Sequence, residues 1–431
     1  MRRAPCWLLL FAATALIGCS SAHLTSPAVV QGSAINGRVM GGQQPVAYAN
    51  VQLWAAGAAG YGSASTQLIT GAYTVTTDAQ GIFQITGTFT CPASSSTPVY
   101  LTVTEGYPAP ATPNPNLALM AALGPCDGLS NIPFVNVDEV TTVASVWALA
   151  PFMAGMDHIG TSPTNMIGLQ NAFASVNELV DIATGMAGGP ALPAGATIPA
   201  DEIYALADML ATCVNSAGGV DNDGSNCGTL FHNAKVAGVA PTDTITAAMN
   251  IAQNPAANVS ALYDEIPSVG AVFPTTLAEP AAWTLMVTYT GSGIKAPHGV
   301  ANDASGNVWI ANAGDDSVTM LNPAGAMQFH TTGVTGSMPT AIAIDGSGGA
   351  WLANSGNATI VPVMNDGTMG TILNGNGLNA PKGIAIDAAG NVWVANSGAG
   401  GGVSVFTSSG GVVGNYSSGR TAPTSIAVNP Q

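Results

Sequence analysis

Apolar residues change their spacing along the chain, and each change marks a different kind of element. From Ala34 to about Gly106 they alternate with polar ones in short runs. Examples are Ile35-Asn-Gly-Arg-Val39, Val51-Gln-Leu-Trp54, Tyr73-Thr-Val-Thr-Thr-Asp-Ala-Gln-Gly-Ile-Phe-Gln-Ile85 and Val99-Tyr-Leu-Thr-Val-Thr104. Alternation over five or six residues, with turn residues between, predicts a small antiparallel sandwich over 34–107. A Pro/Ala/Thr/Asn stretch opens a linker over 108–130, and beyond it the spacing becomes helical. Asp138 begins a run with Val140, Val143, Val146, Trp147 and Ala150 on one side. Ser162-Pro163 caps a second helix, with Ile167, Leu169, Phe173, Val176, Leu179, Val180 and Ala183 at 3.6 spacing and Gly185 as its stop. Further helices are expected from Pro199 through Cys213, after Thr242-Asp243, and over Ala256 to Ile266, which makes 131–266 a helical domain. A second linker, 267–282, leads to a strand from Trp283 to Thr290.

The last 149 residues, 283–431, carry a longer period. Asn307-Val-Trp309-Ile-Ala-Asn312, Gly349-Ala-Trp351-Leu-Ala-Asn354 and Asn391-Val-Trp393-Val-Ala-Asn396 each follow an Asp-x-x-Gly turn, and Pro297, Pro339, Pro381 and Pro423 stand 42 residues apart. Such a period, built from short β-rich runs with Gly and Asp at the turns, predicts one small sheet per repeat stacked around an axis. The fold class expected is therefore multidomain: β-sandwich, α-helical domain, then a partial β-propeller of about three blades plus one strand. The strand from Trp283 would be an outer propeller strand. Propellers typically have at least about four blades, so three complete repeats imply either a truncated chain or self-association of two open arcs into one ring.

The repeat resembles the NHL family and the related streptogramin-lyase-like propellers over about residues 284–431. The N-terminal order Gly-x-Val, Pro-Val-x-x-Ala-x-Val-x-Leu, Thr-Asp-x-x-Gly-x-Phe resembles carboxypeptidase regulatory-like domains, which implies a structural or adhesive spacer. Arg2 and Arg3, the apolar run from Trp7 to Ile17 and Leu16-Ile-Gly-Cys19 form a secretory signal rather than a spanning helix. The tetrapeptide is similar to the bacterial lipobox. That resemblance implies cleavage of residues 1–18, acylation of Cys19, a tether over 19–33 and an outer-membrane or cell-surface location, with the membrane as partner through the anchor.

Charge narrows the partners. Only 7 % of residues are charged, and removal of residues 1–18 leaves 5 basic against 23 acidic residues. A polyanion of this kind does not suit nucleic acid. Residues 131–265 hold 13 of the acids and a single base, Lys235. Of the cysteines outside the signal and anchor, closeness in sequence favours Cys91 with Cys126 and Cys213 with Cys227 as disulfides; metal binding by the four is the alternative.

Candidate chemistry is sparse. Asp303, Asp345 and Asp387 fit turn chemistry, and Trp309, Trp351 and Trp393 fit packing between sheets. Asn312, Asn354 and Asn396, with His298 and Lys382 from the neighbouring connections, form the candidate ligand site at the channel mouth, for a protein or glycan. The propeller enzymes that the repeat resembles use His or Glu around a divalent metal, yet 284–431 contains no Glu and only His298 and His330. No catalytic residue is assigned. Asp221, Asp223 and Ser225 resemble the opening of a calcium loop but lack its acidic twelfth position, which is His232. The reading is an exported, lipid-anchored protein whose propeller is a binding module. A metal-dependent lyase or lactone hydrolase and a structural envelope protein are the alternatives.

Overall fold

The computed structural model describes residues 34–429 apart from 71–73, 87–88, 93, 95, 109–111, 268–270, 274, 292, 334–336 and 418–421. The signal, Cys19 and the tether lie outside the described residues.

The N-terminal half contains two five-stranded sheets. Strands β1 (Ile35–Gly41), β2 (Gln44–Ala47), β6 (Ile82–Ile85), β8 (Tyr107–Pro108) and β10 (Val135–Val137) form the first, with β1 at its centre. The second contains β3 (Asn50–Ala55), β4 (Thr66–Gln67), β5 (Val75–Thr76), β7 (Pro98–Thr104) and β9 (Ala118–Pro125). Alternation in β1 buries Ile35, Gly37, Val39 and Gly41 and turns Asn36, Arg38 and Met40 outward.

Strand β9 corrects the expected linker over 108–130. Its run Leu117–Leu123 shows no alternation because both of its faces are buried, and an unbroken apolar run is the mark of a strand covered on two sides. Helices α1 (Glu139–Leu149), α2 (Met166–Leu179) and α5 (Thr244–Gln253) pack on this region. Their hydroxyls also complete the outer edge of β9. Thr244 Oγ1 accepts from the Ala118 N–H at 2.9 Å, Thr142 Oγ1 from Met120 and Ser145 Oγ from Ala122, both at 3.0 Å. An edge strand with its donors satisfied this way can be buried without cost from orphaned amides. One continuous core therefore runs from Ile35 to Trp283, and the sheets and helices do not separate near residue 108 or 131.

Two helix starts follow their caps: Asp138 accepts from Thr141 N–H in a reciprocal capping box, and Asp243 accepts from Thr246 N–H. Ser162-Pro163 is a correction: it opens a 3-10 turn over Pro163–Asn165 without a side-chain cap bond, and α2 begins only at Met166. The second helix ends at Leu179, before the expected stop. Val180–Asp181 pairs with Met186–Ala187 as a hairpin, and Gly185 is its left-handed turn residue at φ 74°. Helix α3 (Ala200–Val214) is followed by a short α4 (Asn226–Asn233), which the sequence pattern did not reveal. The Cys213–Cys227 disulfide joins the two, and Cys91–Cys126 ties the second sheet to the turn after β9. The last, α6 (Val259–Tyr263), lies within the expected Ala256–Ile266 span.

The repeats fold into three four-stranded antiparallel sheets. The first is Pro297–Asn302, Val308–Asn312, Ser317–Leu321 and Met327–Thr332, and the second and third follow at Pro339 and Pro381 in the same order. Each inner strand lies beside the next. A side chain on Gly299 would meet the Ala341 backbone at 3.0 Å, and one on Gly383 would meet Ser425 at 2.9 Å. Residues 422–429 thus run where a fourth inner strand would stand. Trp309 is 0 % and Trp351 2 % exposed, because each packs on the following sheet, against Leu352 and Val394 respectively. The Trp283–Thr290 segment is a correction: Thr288–Tyr289 pairs with Ala196–Thr197 of the helical half, and Trp283 is buried in that half's core.

Candidate functional site

The period fixes backbone geometry as well as composition. Ala296, Met338, Ala380 and Ala422, each just before the repeated proline, all adopt positive φ between 41° and 52°. The inner strand then bulges, with register passing from Pro297↔Asn312 to Gly299↔Ala311 and likewise in the other two sheets. His298, Thr340 and Lys382 are the extra residues, and a bulge re-aims its side chain out of the ladder. His298 and Lys382 are exposed, whereas Thr340 donates to Pro381 O of the next sheet at 3.0 Å.

The Asn series does not join them. Asn312, Asn354 and Asn396 are fully buried. Asn312 accepts from Lys295 N–H and donates to Ser317 and Thr319 hydroxyls; Asn396 accepts from Asn379 N–H and donates to Ser404. Asn312 and Asn396 thus clamp the incoming chain to the hairpin of their own sheet, whereas Asn354 donates to Thr359 at 3.0 Å and its buried Oδ1 has no partner among the described residues. Of the five expected ligand residues only His298 and Lys382 present side chains to solvent. The recurring aspartates are turn residues. Asp387 Oδ1 accepts from the amides of Ala389 and Asn391 and Oδ2 from Asn391 and the Trp393 indole, bonds that hold its carboxyl below the ordinary range. Asp303 repeats this with Asn307 and Trp309; there partial burial pushes upward and the hydrogen bonds outweigh it.

His298 leads to a site that the sequence pattern did not show. It lines a groove of about 500 Å³ on the first sheet, with Ile294, Pro297, Val300, Ile310, Leu321 and Pro323 as apolar walls and Tyr289 at one end. The equivalent face of the later sheets is covered by the preceding blade, leaving Ile342 at 8 % and Ile384 at 9 % exposure. Val300, the same position in the first sheet, is 67 % exposed. Tyr289 closes the groove from the helical half, donating to Glu178 at 2.7 Å; its ring rests where a side chain on Gly325 would stand. Burial raises the Glu178 carboxyl, and burial together with that bond raises the Tyr289 phenol, so Tyr289 is a neutral donor to Glu178.

The calcium candidate resolves into two separate hydrogen-bond sets. Asp221 pairs with Lys235 at 2.7 Å and His232 at 3.1 Å, with the lysine bond holding its carboxyl low. Asp223 accepts from Ser225 and from the Val220 and Ser225 amides, bracing the cap of α4. Among the described residues no group of three or more His, Cys, Asp or Glu side chains is arranged to hold a metal ion.

No family model and no curated protein matches the chain. Among solved structures it is similar to a catalytically inactive virginiamycin B lyase from Staphylococcus aureus with quinupristin, at 17 % identity and TM-score 0.30 over 33 % of this chain and 48 % of that one. A nidogen/laminin complex gives 20 % identity and TM-score 0.29 over 33 % and 55 %, and a putative 6-phosphogluconolactonase from Bacteroides uniformis 14 % and 0.29 over 34 % and 50 %. The chain spans about half the length of these structures. The propeller-like character of residues 297–429 rests on this chain's own three repeated sheets and the close approach of their inner strands.

Proposed function

We propose that this is an exported, lipid-anchored bacterial protein of the cell envelope whose propeller-like sheets form a recognition module, with the groove on the first sheet as the ligand site. The observation that carries the reading is Val300, an aliphatic residue two-thirds exposed on a face that is sealed in the sister sheets. Contiguous apolar surface in a concave setting with few polar groups is the usual form of a binding site. Aliphatic walls with Tyr289, His298 and Asn322 at the rim suit an apolar side chain of a protein partner or the flat face of a sugar ring. Anchorage at Cys19 and a spacer formed by the N-terminal sheets would hold the module away from the membrane. No helix among the described residues is long and apolar enough to cross a membrane. In this reading the acyl chains at Cys19 carry the attachment.

The test is photocrosslinking from a probe amino acid at His298 in native envelopes, alongside a Val300→Asp chain. Capture of one discrete envelope component, lost with Val300→Asp while the protein remains folded, is the expected result. Equal capture by both chains would overturn the assignment of the groove.

A further inference from the structure

A second cavity, of about 470 Å³, lies on the outward face of the N-terminal sheet centred on β1 and has opposite chemistry to the groove. Strand alternation turns Arg38 and Met40 to this face, and the parallel register Arg38↔Asn136 sets Asn136 and then Asp138 alongside. The Thr184–Met186 turn and Tyr204, stacked on Phe273 at 6.0 Å, wall the other side. Gly185 is required there: a side chain would collide with Asp138 Oδ2, and φ is 74°.

Arg38 is unusual within this setting. Its Nε is buried without a hydrogen-bond partner, and it joins none of the ion pairs among the described residues, in a chain with 23 acids. Asp138 lines the same cavity yet is not paired with it; Asp138 Oδ1 is committed to the Thr141 amide at 2.8 Å. A guanidinium is a rigid fork of donors matched to a carboxylate, and an unmatched buried donor is costly. We propose that this cavity binds a small hydroxy acid whose carboxylate sits on Arg38 and whose hydroxyl group reaches Asp138. Burial raises Asp138 to about 7, so below that pH it carries a proton to donate to the ligand.

The experiment is titration calorimetry on the full chain with lactate, glycolate and 3-hydroxybutyrate as probes, each against its neutral amide. Saturable binding of at least one acid below about 50 mM, absent for its amide and weakened about tenfold or more by Arg38→Gln, is expected, with affinity falling as pH rises through 7. No binding by any of the acids, or equal binding by acid and amide, overturns the proposal. That comparison uses the unaltered chain, so it decides the matter even where Arg38→Gln fails to fold.

Discussion

Replacing Glu139 by Gln isolates the electrostatics of the helical half. Glu139 is wholly buried at the start of α1, and both carboxylate oxygens face the Gly42 N–H at 2.9 Å. Its charged neighbours are Asp138 and Asp208, both acids, and none of the ion pairs among the described residues includes it. Burial, with those two carboxyls adding to it, pushes its pKa from 4.5 up to about 8, against the opposing Gly42 bond. The folded chain therefore binds a proton that the unfolded chain has released. Between pH 4.5 and about 8 the folded state holds more protons, so stability is full below 4.5 and is lost as pH rises through 8. At roughly 1.4 kcal/mol per pH unit the loss attributable to this group is at most about 5 kcal/mol, and sharing with Asp138 and Asp208 reduces it to about 2–4 kcal/mol. Glutamine keeps an acceptor for Gly42 and offers its amide to the neighbouring carboxyls. Urea unfolding followed at 222 nm, which reports the helices, should give Glu139→Gln within about 1 kcal/mol of the parent at pH 5 and more stable by about 2–4 kcal/mol at pH 9. An equal penalty at both pH values would mean that Glu139 is ionised and held by a cation, and the reasoning would fail.

Three further outcomes are expected. Intact mass of the exported protein should show acylation at Cys19, and Cys19→Ala should leave the membrane fraction; retention after a high-salt wash would remove the anchor from the reading. Non-reducing peptide mapping should recover Cys213 joined to Cys227, and reducing that bond, which closes a loop of about 15 residues, should cost roughly 3 kcal/mol; two free thiols would refute it. Light scattering should detect association through the uncovered outer face of the third sheet, where Trp393 and Tyr416 stack at 6.4 Å, and Trp393→Asp should abolish it; a parent chain that stays monomeric at all concentrations would count against self-association.

How far the sequence disclosed this depends on whether the deciding contacts are local. The 42-residue period placed one sheet per repeat with its Trp-bearing strand after the Asp-x-x-Gly turn, because turn aspartates, pre-proline positions and strand alternation all act within one hairpin. The helices capped by Asp138 and Asp243 were equally plain. Strand β9 was hidden, since a run buried on both faces loses the alternation that marks a strand, and its edge is completed by Thr142, Ser145 and Thr244 from 22 to 126 residues away. Helix α4 was hidden by its eight-residue length and internal Gly228, and depends on the disulfide to α3. The repeated asparagines read as ligand residues because strand-end amides in series look functional; all three are buried, and Asn312 and Asn396 are braces.

The groove has a related cause. In each later sheet the inward face is buried by the tryptophan of the sheet before it, and position for position the residues there are as aliphatic as Val300 and Ile310. The first sheet keeps that aliphatic face, but its predecessor is the helical half, which offers a two-residue strand and one phenol, Tyr289. A neighbour of that size cannot cover a face built for a four-stranded sheet. The apolar site is thus a consequence of joining a repeat to a non-repeat, and a fixed-period sequence signal cannot register it, because the period is unbroken at Val300 while its spatial partner is missing.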